Sequence, residues 1–149
     1  MTQSEIAHAH FTHRLTVETD ADDVGTAILD GTADFVLVDA RSPAAYAAGH
    51  IPGAINIPHR EITADNLPEG PIVVYCWGPG CNAATKAGVK ISALGREVKE
   101  MIGGFEYYAR EGFPVEGTGH FEKEQSGLVV LPDEPLPGCS LPGERSVAA

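Results

Sequence analysis

Two cysteines, Cys76 and Cys81, stand five residues apart in VVYCWGPGCNAATKAG, Val73 to Gly88. The pair could hold a metal, form a disulfide, or frame one reactive sulfur. A zinc site takes four ligands, with paired cysteines usually two to four residues apart; here the spacing is C-x₄-C and no second cysteine cluster follows. His8, His10 and His13 in HAHFTH could chelate a metal weakly but read as solvated residues near the chain start. We therefore expect no metal and no cofactor. The chain has 3 cysteines, an odd number, which argues against a disulfide framework. Cys139, the third, reads as unpaired.

The surroundings of Cys76 suit a reactive sulfur. An apolar run precedes it, and a helical pattern follows from about residue 82. Gly78 and Gly80 free the loop backbone to curl, so that its N–H groups can form an anion nest beside a helix N-terminus. Such surroundings lower a cysteine pKa from about 8.5 to roughly 3.5–7.5, so Cys76 is expected below the free-cysteine value. The same nest would hold the negative charge of a persulfide.

The elements that would position this loop alternate between strand and helix, which argues for an α/β fold. FVLVD (35–39) and PIVVYC (71–76) are short apolar runs of the kind buried on both faces in a parallel sheet. A brief strand is expected near 54–57, and another in EVKEMIGG. Helices are expected in TDADDVGTAILDG, with Thr19 as cap and Gly31 as exit, and in SPAAYAAG, with Pro43 in its first turn. Two more are expected, one in GFEYYAREG and one over 82–94, where Ala84, Ala87, Ile91 and Leu94 share a stripe and Asn82 is the expected cap. Residues 1 to about 18 show no clear period. Four of the chain's 11 prolines fall in LPDEPLPGCSLPGERSVAA, which reads as an irregular tail or an arm laid on a surface.

With 149 residues and a formal charge of −11, the chain suits one domain, and its acidity disfavours nucleic acid. It has no apolar run long enough for a bilayer and no secretory leader pattern. A cytoplasmic protein is expected, with no membrane association.

LVDARSPAAYAAGHIPGAINIP (37–58), VVYC with its six-residue loop, and MIGGFEYYAREGFPVEG (101–117) together resemble the rhodanese homology domain. The likeness spans roughly 20–118. It divides the chain into an N-terminal extension (1–19), a rhodanese-like domain (20–118) and a Pro-rich tail (119–149). It implies a central parallel sheet flanked by helices on both faces. It also implies a thiosulfate sulfurtransferase that moves sulfane sulfur through a persulfide on Cys76. Trp77, Gly78, Pro79, Gly80, Cys81 and Asn82 would line the substrate loop, with Asp39 and Arg41 in support. The implied partners are a small-molecule sulfur donor and a thiol or cyanide acceptor, with a sulfur-carrier protein and a homodimer as further candidates.

The loop CWGPGC carries no cation, so a thiosulfate dianion would rest on backbone N–H groups and the helix dipole, with Lys86 at longer range. A phosphatase would need an arginine at position 82, where Asn82 stands. Arg41 reads as a structural tie between the strand end and the GHIPG turn, and His50 as fixing that turn. Trp77 either stacks over the pocket mouth or caps the loop against the core. Cys81 has three readings: a passive loop residue, a resolving thiol, or a sulfur acceptor. A passive Cys81 would point away from Cys76 and remain unbonded to it. The alternative to an enzyme is a binding or redox-sensing module that uses the Cys76/Cys81 pair.

Overall fold

The computed structural model describes residues 1–119; the tail expected over 119–149 lies, from residue 120 on, outside the described residues. Among the described residues, five strands form one parallel sheet: β1 (Glu18–Asp20), β2 (Val36–Asp39), β3 (Ile55–Asn56), β4 (Ile72–Tyr75) and β5 (Val98–Ile102), in the order β1-β5-β4-β2-β3. The helices are α1 (Gln3–Val17), α2 (Ala21–Asp30), α3 (Pro43–Ala48), α4 (Ala83–Ala93) and α5 (Gly104–Arg110), with one 3-10 turn at His59–Glu61. The two apolar runs do form the buried strands β2 and β4, side by side at the middle of the sheet.

Side chains alternate across a strand, and this divides the core in two. Leu37, Val73, Tyr75 and Met101 face α2 and α5, packing with Val24, Phe105 and Tyr108. Val38, Ile72, Val74 and Cys76 face the other way, against Ala84, Ala87 and Ile91 of α4. Helices therefore cover both faces, as expected.

The N-terminus differs from expectation. Residues 3–17 are helical, started by a capping box in which Thr2 and Glu5 satisfy each other's backbone N–H. None of these residues is buried. Apolar periodicity marks a packed face and not helicity as such, so a helix that buries nothing shows no stripe. β1, an edge strand of 3 residues with no apolar alternation, gave no signal either. The cap of α2 is Asp20, accepting from the Asp23 N–H, in place of Thr19. Gly31 does close that helix, in the left-handed conformation. Leu94 is the C-cap of α4 and is exposed, so the buried stripe ends at Ile91. Among the described residues no helix is long and apolar enough to cross a membrane.

Candidate active site

Cys76 follows the last residue of β4 at the carboxyl edge of the sheet, where loops of α/β folds gather their chemistry. Its residue is 3% exposed. Backbone hydrogen bonds hold both ends of the loop that follows. The Cys81 N–H donates to the Gly78 carbonyl at 3.0 Å, closing a turn with Pro79 and Gly80 at its tip. On the other side, the N–H groups of Phe105 and Glu106 donate to the carbonyls of Cys76 and Trp77 at 2.8 and 2.7 Å. These are orphan donors of the first turn of α5, so that helix start grips the loop backbone.

Gly104 makes this grip feasible. Its φ is +63°, and a β-carbon there would fall 2.6 Å from the Gly78 nitrogen and 2.7 Å from the Trp77 carbonyl carbon. Sequence reasoning placed Gly104 only in the closing segment and missed this role; the Gly103–Gly104 pair directly after a strand was the available signal.

The nest around the sulfur is only partly built. Backbone N–H groups of Gly78 and Ala84 turn to Cys76 and favour its thiolate. The Ala84 donor lies in the first turn of α4, which has no side-chain cap. Asn82 stands at the N-cap position of that helix, as expected, but its side chain makes no capping hydrogen bond. Its φ of −104° and ψ of 16° depart from the extended conformation of a capping residue, and the Cys76 sulfur takes the place a cap oxygen would fill. The Cys81 N–H, closing its turn, is unavailable to the nest. Burial outweighs the two donors, and the Cys76 thiol is pushed up to about 11. The expectation of a lowered pKa is thus reversed, because an apolar wall penalises the thiolate more than two dipoles favour it.

Cys81 also departs from expectation. Both cysteines are free, so the pair is unbonded as expected, yet Cys81 does not point away. Its side chain packs against the apolar cluster that holds Cys76, and its thiol helps to raise the Cys76 pKa. The Cys76 Sγ–H donates to the Cys81 carbonyl at 3.0 Å.

Asp39, Arg41 and Trp77 lie on the opposite face. Arg41 Nη2 donates to Asp39 Oδ2 and to the Gly49 carbonyl, each at 2.6 Å, tying the strand end to the next turn. The guanidinium lies 4.6 Å from the Trp77 ring centre and 4.4 Å from that of Phe105. Trp77 thus packs into the core below the loop, over Arg41. His50 stacks on Tyr46 and pairs its backbone with Glu116.

Arg60, Lys86 and Lys90 gather round His59; burial first, then these charges, push the His59 pKa down. His8, His10 and His13 lie along α1, and among the described residues no cluster of three or more His, Cys, Asp or Glu could hold a metal ion.

The Rhodanese-like domain family model matches residues 20–111. The chain is 32% identical over 101 residues to a sulfurtransferase of Allochromatium vinosum, covering 66% of this chain and 92% of that protein. It is 46% identical over 88 residues to the HTH-type transcriptional regulator Rv0324 of Mycobacterium tuberculosis; the match takes 56% of this chain but only 38% of the regulator. Among solved structures, the BH2092 protein of Bacillus halodurans superposes with a TM-score of 0.74 at 44% identity, over 78% of this chain and 88% of the other. A thiosulfate sulfurtransferase of Pseudomonas aeruginosa matches with a TM-score of 0.58 at 26% identity, over 71% of this chain and 21% of the other.

Proposed function

From its membership of the rhodanese-like family, to which this chain belongs, we propose that the protein is a sulfurtransferase with Cys76 as its sulfur carrier. A donor such as thiosulfate yields its sulfane sulfur to the Cys76 thiolate and leaves as sulfite. The resulting persulfide passes its outer sulfur to cyanide, a thiol or a carrier protein. This is double displacement through a covalent intermediate.

The observation that carries this reading is the placement of Cys76: a nearly buried sulfur at the carboxyl end of a central parallel strand, with the Gly78 and Ala84 N–H groups turned to it. Persulfides are more acidic than thiols, so these donors suit the persulfide anion better than the parent thiol. Trp77 to Asn82 form the substrate loop, while Asp39 and Arg41 support it from the far face. His59 donates its N–H to the carbonyl of Ala40, whose own N–H bonds to Tyr75 at the end of β4. Arg60, Lys86 and Lys90, the cations around His59, would attract an anionic donor.

Intact mass after incubation with thiosulfate tests the reading. Wild type gains one cyanide-removable sulfur and Cys76→Ala gains none; equal uptake by the variant overturns the assignment. A redox-sensing module is the second reading, favoured by the packing of Cys81 against the cluster that contains Cys76.

A further inference from the structure

We propose that Cys81 discharges the Cys76 persulfide within the same chain, forming a Cys76–Cys81 disulfide and releasing hydrogen sulfide. This rests on the carrier role of Cys76 and adds a second outlet for its sulfur, one that needs no external acceptor.

Three observations support it. The Cys81 side chain lies against the cluster that contains Cys76, on the sulfur's side of the sheet. Both thiols are free, and Cys81 is half-buried where Cys76 is buried. The Cys76 Sγ–H donates to the backbone carbonyl of Cys81, at 3.0 Å. A persulfide has no hydrogen on that sulfur, so loading with sulfur removes this tie. The turn it releases has room to move: nothing lies within 4 Å of where a Gly80 side chain would stand.

The step balances without an added oxidant. The Cys81 sulfur attacks Cys76 Sγ, and an S–S bond forms between them. The bond from Sγ to the outer sulfur breaks, and its electron pair leaves with that sulfur, which takes the proton lost by Cys81 and departs as hydrosulfide. A proton from water completes hydrogen sulfide. The sulfane sulfur is reduced to sulfide, and the two cysteine sulfurs are oxidised to a disulfide. Leaving-group strength directs the attack. A lower leaving-group pKa speeds thiol–disulfide exchange, and attack on the outer sulfur would expel the Cys76 thiolate, which its apolar surroundings disfavour. Attack on Sγ expels hydrosulfide, a weaker base. A dithiol reductant must then restore the two thiols, and half-exposed Cys81 offers it the sulfur to attack. The protein thus stands between a reaction that supplies sulfane sulfur and one that supplies reducing equivalents as dithiol.

The test uses the full chain with Cys139→Ser, so that only two thiols remain, and compares it with the same chain carrying Cys81→Ser. Each is loaded with inorganic polysulfide and desalted, and then followed by intact mass and by sulfide release. With Cys81 present, the persulfide mass should give way to a species two hydrogens lighter than the dithiol, with one sulfide released per chain. With Cys81→Ser the persulfide should persist at least about tenfold longer. Equal lifetimes in the two chains, or loss of sulfur without the disulfide, overturn the inference while leaving the carrier reading intact. Failure of both chains to take up sulfur at Cys76 overturns the carrier reading and this inference with it. A thermal melt of the Cys81→Ser chain matching its parent excludes misfolding as the cause of a longer lifetime.

Discussion

The two faces of β4 meet at adjacent residues and do opposite things with polarity. On the α5 face, Tyr75 and Trp77 bracket a buried ion pair. Asp39 and Arg41 are almost fully buried, and each carboxylate oxygen and all but one guanidinium nitrogen find partners. On the α4 face, Cys76 sits among aliphatic side chains with two backbone donors and a neighbouring thiol. One face spends its charge on holding strand ends and turn together; the other keeps its thiol neutral. The difference lies in the partners: Arg41 is held by a carboxylate and a carbonyl, Cys76 by a single thiol hydrogen bond to a loop carbonyl.

The sharpest break in this comparison is Cys76→Ala. Sulfur uptake should vanish while the fold persists at a cost of about 1 kcal/mol, because only one small buried atom is lost. Mass spectrometry and a denaturant melt read the two effects separately.

Next comes Arg41→Met on the other face. It leaves Asp39 as an uncompensated buried charge, with an expected loss of about 3–5 kcal/mol of stability. A denaturant melt unchanged from wild type would show that Asp39 is otherwise accommodated.

Gly104→Ala joins the two faces. A left-handed φ costs a residue with a β-carbon about 1–2 kcal/mol, and the overlap with Gly78 must push the loop outward. Stability should fall and Cys76 should become more accessible to alkylation; a variant with the wild-type melt and wild-type alkylation rate would refute the grip of α5 on the loop.

The pH dependence is subtler. The Cys76 proton is held more tightly in the folded chain than at its ordinary value of 9.0, up to about 11. That contribution to stability is present below the unfolded value and is lost as pH rises through about 11. The alkylation rate of Cys76 should climb about tenfold per pH unit across the neutral and alkaline range. A plateau by pH 8 would mean that the two donors outweigh burial.

The smallest effect is expected from removing residues 1–17. Because α1 buries none of its residues, the melt should be unchanged within error; a clear loss would reveal packing on the domain.

Much of this was legible in the residues themselves. β-branched runs declared the central strands, glycines and prolines declared the turns around them, and the strand–loop–helix order put Cys76 at a carboxyl edge. Two residues could be read only in part. Arg41 was expected to tie strand to turn, but its stacking on Trp77 depends on strand parity and on where α5 packs. Cys81 carried a residue type suited to chemistry, but no local pattern says which way a loop side chain turns.

The sequence by itself determined the α/β class, the parallel character of the two central strands and the position of the sulfur after one of them, because periodicity and turn chemistry act over a few residues. Tertiary structure alone decided the protonation of Cys76, the approach of Cys81 to it and the need for glycine at 104. Each of these depends on segments far apart in the chain meeting in space. Burial by α4 raises one pKa, and the start of α5 presses on a loop nearly thirty residues before it. Helix α1 marks the converse: its capping box was written in the sequence, yet without a buried face it left no periodic trace.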